Sequence, residues 1–193
     1  MSTKHMLNEV DAAVDALIMQ LIILYPTDTV WGLGCDAEVP RAVEKLYKLK
    51  QRPEGKGCIV LVADETMFAR YAEQVPANLA ELLSQQERPT TYVVKGSRHL
   101  APNLLSADGT IGLRVVRHDD FTHKLVRRLG HGVVSTSANL SGEPAPTSYK
   151  DITPAIVRAA DHVVSWRQDD DSPVAPSRVV RVLPDGSLEV LRD

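Results

Sequence analysis

Few features of this sequence point to a membrane, secreted or disulfide-linked protein. No apolar run approaches the roughly 20 residues that cross a bilayer, and the first ten residues lack the apolar core of a secretion signal. The two cysteines, Cys35 and Cys58, form neither a CxxC pair nor a disulfide framework. We therefore expect a cytoplasmic protein that makes no membrane contact and keeps both cysteines as buried thiols.

Several well-known catalytic motifs are absent as well. The sequence contains no GxxxxGKS/T phosphate loop, no HExxH or GxSxG motif and no Cys/His spacing typical of zinc. Its six histidines are scattered. The acidic run at residues 168–171 is typical of a solvated loop, with contact to Mg²⁺ as the alternative. We expect no metal ion held by protein side chains.

The composition is that of an ordinary globular protein, and its charge is unevenly distributed. The 193 residues are 44% apolar and 24% charged, which fits one domain over residues 1–193. A net charge of -3 argues against a protein that mainly coats nucleic acid. However, residues 41–56 hold six Lys or Arg against two Glu, and residues 88–128 hold eight against three Asp. These segments predict either solvated helix faces or a basic cavity for an anionic ligand.

Apolar periodicity predicts an α/β fold with an antiparallel component. Helices are expected over residues 8–20, 40–49, 65–73, 76–85, 119–129 and 149–160. In the first, Val10, Ala13, Val14, Leu17 and Ile18 would share one face. Strands are expected over residues 21–25, 58–62, 91–95, 111–116, 132–136 and 162–166, with a loop at 26–40 and a C-terminal hairpin over 178–192 that turns at 184–186.

Polar residues follow two of the predicted strands. Thr27 and Thr29 come two residues apart after the first strand. In STSAN, alternation would turn Ser135, Ser137 and Asn139 to the same side, presenting two hydroxyls and an amide. Because strand-end loops are where open α/β sheets bind ligands, these segments are candidate site elements.

Three cations add to this picture. Lys50 and Arg52 would point apart on a helix, but Arg52 precedes Pro53 and is biased toward an extended backbone, so the two cations can converge. Such a pair suits phosphate, and a basic helix end is the alternative. Arg114, flanked by apolar residues in a strand, is expected to be buried and to need an anion.

The stretch STSANLSGEPAPTS, residues 135–148, has two interpretations. Its hydroxyl, glycine and proline content is typical of a linker. However, the 45 residues after it would make a thin independent domain. We therefore expect a loop inside one domain, shaped by Gly142, Pro144 and Pro146, that closes over a ligand.

Taken together, YPTDTVWGLGCDA, KLKQRPEGKG, IGLRV, STSANLSGEPAPTS and PSRVV resemble, in order and spacing, the YrdC-like family, from about residue 8 onward. The best understood members are threonylcarbamoyl-AMP synthases of the TsaC type, and this chain resembles the short, single-domain form. The resemblance implies a twisted α/β sheet with helices around a basic cavity. It also implies a nucleotidyltransferase that joins L-threonine, bicarbonate and ATP into threonylcarbamoyl-AMP and pyrophosphate for tRNA modification.

The resemblance also assigns roles to individual residues. Mg²⁺ is expected on the triphosphate, and the proteins that use the product in tRNA modification are the expected partners. Catalytic roles fall on Lys50, Arg52, Ser137 and Asn139; L-threonine contacts on Thr29, Arg114, Ser135 and Ser177; and ATP contacts on Lys50, Arg52, Thr91, Ser137, Asn139 and Arg192.

The sequence departs from the family pattern in three places. Residues 86–91 read QERPTT where many members have WPGPxT, Arg178 replaces the Thr of a PST motif, and Trp31 replaces a Tyr. One rival function is a paralogue that binds nucleotide or double-stranded RNA without synthase activity. Another is a pure RNA-binding module, which net acidity and the lack of an aromatic ladder disfavour.

Overall fold

The computed structural model describes residues 2–56, 58–116, 120–172, 174–183 and 185–193. The predicted helices are present, most of them with shifted ends. They are α1 (Thr3–Ile18), α2 (Pro40–Lys50), α3 (Glu65–Tyr71), α4 (Leu79–Ser84), α5 (Asp120–Leu129) and α6 (Pro154–Ala159), with 3-10 helices at Pro102–Leu104 and Tyr149–Asp151.

The strands of the described residues form one mixed sheet of nine. They are β1 (Ile23–Tyr25), β2 (Gly32–Gly34), β3 (Ile59–Val62), β4 (Thr90–Lys95), β5 (Thr110–Val115), β6 (Val133–Ser137), β7 (His162–Val163), β8 (Arg178–Val182) and β9 (Leu188–Arg192). Their order across the sheet is β7, β1, β2, β6, β3, β5, β4, β8, β9. Parallel pairs such as β3 with β5 lie beside antiparallel ones such as β4 with β5, which confirms the predicted α/β fold.

Helices cover both faces of the sheet and create two apolar cores. Helices α1 and α5 form one core with strand residues that include Tyr25 and Leu61. Helices α2, α3 and α4 form the other with residues that include Leu24 and Val60. Because successive side chains of a strand point to opposite faces, the same strands supply both cores. We call the face that carries Tyr25 and Leu61 the site face.

The first helix begins earlier than its pattern predicts. The pattern places its start at residue 8, but Ser2 caps the helix, and its Oγ accepts a hydrogen bond from the backbone N of His5 at 3.3 Å. The helix also ends at Ile18, before the predicted residue 20. Ile18 was expected on the apolar face and is instead 65% exposed, because the last turn extends beyond the core.

The region predicted as one loop, residues 26–40, contains strand β2. This strand pairs with β1 on one side and with β6 on the other, where Gly32 is opposite Ser137. A Cβ on Gly34 would lie 2.5 Å from the carbonyl oxygen of Val134, so glycine permits the close approach of the two strands. The loop prediction was wrong because Gly-Leu-Gly carries no β-branched pattern.

Two further differences lie in the last quarter of the chain. The helix expected over residues 149–160 is divided, because Pro154 lacks the N–H that would continue it and starts α6 instead. The strand expected over residues 162–166 is limited to His162–Val163. The hairpin of β8 and β9 is confirmed, with Gly186 at a φ of 83°.

Some predicted positions lie outside the described residues, namely Gly57, Asp119 at the expected start of α5, and Pro184 in the hairpin turn. Within the described ranges, no helix has both the length and the apolar character that crossing a bilayer requires.

Candidate active site

Polar residues from three strands, β4, β5 and β6, share the site face. The ladder pairs Leu61 with Arg114, and it pairs Ile59 with both Gly112 and Ser135. Paired residues point to the same side, so Arg114 and Ser135 lie on one face, and alternation adds Ser137. Thr91 joins them, since its Cγ2 would lie 2.7 Å from a Cβ on Gly112. The sheet therefore presents this predicted set on a single surface.

One end of this surface is built around Lys50, the last residue of α2. Lys50 is fully buried, and its Nζ donates to the carbonyl oxygen of Ser137 and, at 3.2 Å, to Oδ1 of Asn139. The same Oδ1 accepts from Ser137 Oγ at 2.5 Å. Gln51 follows with a φ of 51°, a left-handed conformation that ends the helix and redirects the chain. The structure thus brings Lys50 together with two residues that follow it by 87 and 89 positions in the sequence.

Arg52 contacts the same end of β6 through two other side chains. Its Nε lies 3.4 Å from Ser141 Oγ, and its Nη1 lies 3.4 Å from Thr136 Oγ1. Sequence reasoning named neither hydroxyl, although both occur in STSANLS. Thr136 was passed over because alternation places it on the face opposite Ser137, yet at the end of the strand both faces are within reach of Arg52.

The surroundings of Lys50 favour binding of an anion. Burial, and after it the positive charge of the nearby Arg52, together lower its pKa to about 8. Two cations held this close are in an unfavourable arrangement, which a bound phosphate would relieve. We call Lys50, Arg52, Ser137 and Asn139 the phosphate cluster.

Arg114 marks the other end of the surface. It is only 2% exposed. Its Nη1 donates to Thr29 Oγ1 at 3.1 Å, and its Nη2 donates to Asp28 Oδ1 at 2.8 Å. The sequence predicted a buried arginine that needs an anion, and Asp28 is that anion. Sequence reasoning considered the two threonines of YPTDT and passed over the aspartate between them.

A third group joins the end of β4 to the C-terminal hairpin. Thr91 Oγ1 and Ser177 Oγ are 2.9 Å apart, and Arg192 Nη2 donates to the carbonyl oxygen of Ser177 at 2.8 Å. Burial and the charge of Arg114 lower the pKa of Arg192. The group is therefore electrically coupled to the Arg114 end. Ser177, expected to contact threonine, lies with the two residues expected to contact ATP.

The loop after β6 is fastened beside the phosphate cluster. The backbone N of Ser141 donates to the carbonyl oxygen of Lys50 at 3.2 Å, and Asn139 Nδ2 donates to the carbonyl oxygen of Glu143 at 2.5 Å. Gly142 turns the loop with a φ of 90°. The stretch is thus an anchored loop of the site rather than a linker, and its closure over a ligand stays a prediction.

A narrow pocket with a cavity volume of only about 10 Å³ adjoins Thr29, and its lining includes Trp31 and Asp170 of the acidic segment. Asp170 of that segment pairs with Arg167 at 3.0 Å, and Arg167 Nη1 donates to the carbonyl oxygen of Thr27 at 3.2 Å. The acidic run therefore closes one side of the site. The described ranges hold no group of three or more His, Cys, Asp or Glu arranged to bind a metal ion.

Sequence comparison identifies relatives over most of the chain. The family profile named Sua5/YciO/YrdC and described as "Telomere recombination" matches residues 15–193. A protein named threonylcarbamoyl-AMP synthase from Idiomarina loihiensis is 35% identical over 187 residues, which cover 94% of this chain and 96% of the relative.

Solved structures show the same fold. The P. abyssi Sua5 complexed with L-threonine superposes with a TM-score of 0.80 at 22% identity over 95% of this chain. It is longer, and the match covers 53% of it. E. coli YciO superposes with a TM-score of 0.78 at 23% identity, over 95% of this chain and 88% of that one. The resemblance seen in the sequence motifs is confirmed, and the chain belongs to the Sua5/YciO/YrdC family.

Proposed function

We propose that this protein is a threonylcarbamoyl-AMP synthase, an enzyme that joins L-threonine, bicarbonate and ATP and releases pyrophosphate. The observation that carries the proposal is a pair of chemically different sites on one sheet, the phosphate cluster at the end of β6 and Arg114 on β5. The phosphate cluster offers two cations to a triphosphate, while Thr29 and Arg114 offer a hydroxyl and a guanidinium to an amino-acid carboxylate. The relatives named for this activity support the same conclusion.

The site residues would act by binding and positioning. Lys50, Arg52, Ser137 and Asn139 would hold the phosphates, with Thr91 and Arg192 as further ATP contacts. Thr29 and Arg114 would hold L-threonine, with Ser135 and Ser177 beside it. Mg²⁺ would accompany the triphosphate as part of the substrate.

The reaction fits a site without a nucleophilic side chain. The amine of threonine would add to CO₂, which bicarbonate gives on loss of hydroxide, and the proton that the nitrogen loses would leave with that hydroxide as water, giving a carbamate. A carbamate oxygen would then attack the α-phosphate, and pyrophosphate would leave. Two anions must meet in this step, so their mutual repulsion is the main obstacle. Clustered cations and a fixed orientation of the reactants would lower that barrier. As a nucleotidyltransferase of this kind, the protein would supply threonylcarbamoyl groups to the proteins that modify tRNA adenosine.

The test is to detect the product by mass after incubation with ATP, L-threonine and bicarbonate, together with pyrophosphate release. Lys50→Ala should reduce turnover at least about 100-fold, since it removes a preorganised buried charge. Lys48→Ala is the matched control, because Lys48 is two residues away on the same helix with a 74% exposed side chain. It should keep normal turnover.

Two results would contradict the proposal. Absence of product from the folded wild-type protein would favour a paralogue that binds nucleotide or RNA without synthesis, and salt-sensitive RNA retention would then identify the RNA binder. Normal turnover in Lys50→Ala would remove the role of the phosphate cluster.

A further inference from the structure

Asp28 and Arg114 form a buried ion pair at the amino-acid end of the site. Their side chains are 9% and 2% exposed, and the Asp28 Oδ1 to Arg114 Nη2 distance is 2.8 Å. Within the described residues, Arg114 Nε is buried and has no hydrogen-bond partner. The guanidinium is therefore only partly satisfied by the residues that surround it, and one of its donors awaits an acceptor.

A carboxylate that binds Arg114 must come close to Asp28. Because Asp28 already accepts a hydrogen bond from Arg114 Nη2, an incoming anion has to share the guanidinium with Asp28 or displace it. A simple anion would add a second negative charge beside the buried Asp28 carboxylate, which is unfavourable. An amino acid brings its own cation, so its ammonium group can take the place of Arg114 as one partner of Asp28.

We propose that Asp28 binds the ammonium group of the substrate, so that the Arg114–Asp28 pair is exchanged for two new ion pairs with a zwitterionic α-amino acid. Arg114 takes the carboxylate and Asp28 takes the amine. This inference rests on the proposed function, because it assumes that this end of the site binds L-threonine. It makes Asp28 a residue that determines specificity for amino acids over other anions.

The exchange also explains how one basic site keeps its two anionic substrates apart. Arg114 is electrically coupled to Arg192, and two cations without an acid would attract phosphate as well as carboxylate. Asp28 cancels one of these charges. At the phosphate cluster, by contrast, Lys50 and Arg52 repel each other and favour an anion. Triphosphate is thereby directed to the phosphate cluster and the zwitterion to Arg114.

The test compares two ligands that differ only in the amine. Calorimetry would give the dissociation constants of L-threonine and of 2,3-dihydroxybutyrate, in which a hydroxyl replaces the amine. The wild-type protein should prefer L-threonine at least about 30-fold, the scale expected when a buried charge loses its partner. Asp28→Asn should bring this preference to within about threefold. Asp28→Glu, which keeps a carboxylate, should fall between the two.

Asp15→Asn is the matched control, because it removes one carboxylate from an exposed position of α1, and it should keep the wild-type preference. If Asp28 had a purely structural role, Asp28→Asn would weaken the binding of both ligands alike. An unchanged ratio of the two dissociation constants in a folded Asp28→Asn protein therefore overturns the inference. Equal wild-type affinities overturn it without any variant, which covers the case in which Asp28→Asn does not fold. If the wild-type protein binds no L-threonine at all, the proposed function itself fails.

Discussion

At the scale of single residues, two buried cations are prepared for different ligands by their neighbours. Lys50 lies near Arg52, and both burial and that second charge disfavour its protonated form. Arg114 has a carboxylate at 2.8 Å, whose negative charge compensates the buried guanidinium. The first arrangement gains most from a ligand with several negative charges. The second gains most from a ligand that carries both signs.

The lowered pKa of Lys50 predicts that ATP binding takes up a proton. Above the pKa of about 8, Lys50 is mostly neutral in the free protein. Bound phosphates favour the charged form and raise the pKa, so protons are taken up at a pH of about 8.5. Calorimetry in buffers of different ionisation enthalpy should therefore give different apparent binding enthalpies.

Below pH 7 this buffer dependence should fade, because Lys50 is already charged there. Lys50→Met should remove the dependence, and Lys48→Met should retain it. Identical enthalpies in all buffers for the wild-type protein at the higher pH would contradict the prediction.

The sequence could predict the burial of Arg114 but not its partner. An arginine among apolar strand residues must be inside, which is a local argument. Asp28 is 86 positions away from Arg114 along the chain, and no periodicity connects them. Likewise, Lys50 and Arg52 were expected to converge, but the contacts of Arg52 with Thr136 and Ser141 depend on how β6 ends against α2. Local patterns predict which face a residue takes, whereas partners across the fold depend on tertiary packing.

At the scale of elements, β2 forms because it pairs with a strand on each side, β1 and β6. Its residues have little intrinsic preference for a strand, and the predicted loop was reasonable on propensity alone. The strand forms because β1 and β6 flank it and glycine lets them approach. The prediction worked better for α2, where proline at the first turn and buried Val43, Leu46 and Tyr47 give a clear helical pattern.

Adding a methyl group to β2 should therefore destabilise the protein, more at Gly34 than at Gly32. At Gly34 a Cβ would lie 2.5 Å from a backbone oxygen and 2.7 Å from Tyr25 Cε1, while at Gly32 the nearest atom is Ser135 Oγ at 3.1 Å. Overpacking of this kind costs about 1–3 kcal/mol. Gly34→Ala should lower the melting temperature by roughly 5 °C.

Gly32→Ala serves as the matched control in the same strand and should change the melting temperature less. Scanning calorimetry would measure both variants. Equal shifts would mean that the close approach at Gly34 relaxes freely.

At the scale of the whole molecule, both cores share one sheet. Side chains of the same strands enter the core of α1 and α5 and the core of α2, α3 and α4. Loss of either core would expose one face of those strands to solvent and so weaken the sheet on which the other core packs. We therefore predict that residues 1–193 form a single domain that unfolds in one calorimetric transition, with equal calorimetric and van't Hoff enthalpies. Two resolved transitions would contradict the single-domain prediction.

The pairing of β4 with β8 has a consequence for biosynthesis. Thr91 meets Ser177 across 86 residues of sequence, and a ribosome needs roughly 4–17 seconds to add that many. Throughout this interval, one edge of β4 has no neighbouring strand, and unpaired strand edges are sites at which nascent chains aggregate. The binding surface is thus completed late in translation, when the residues of β8 have been added.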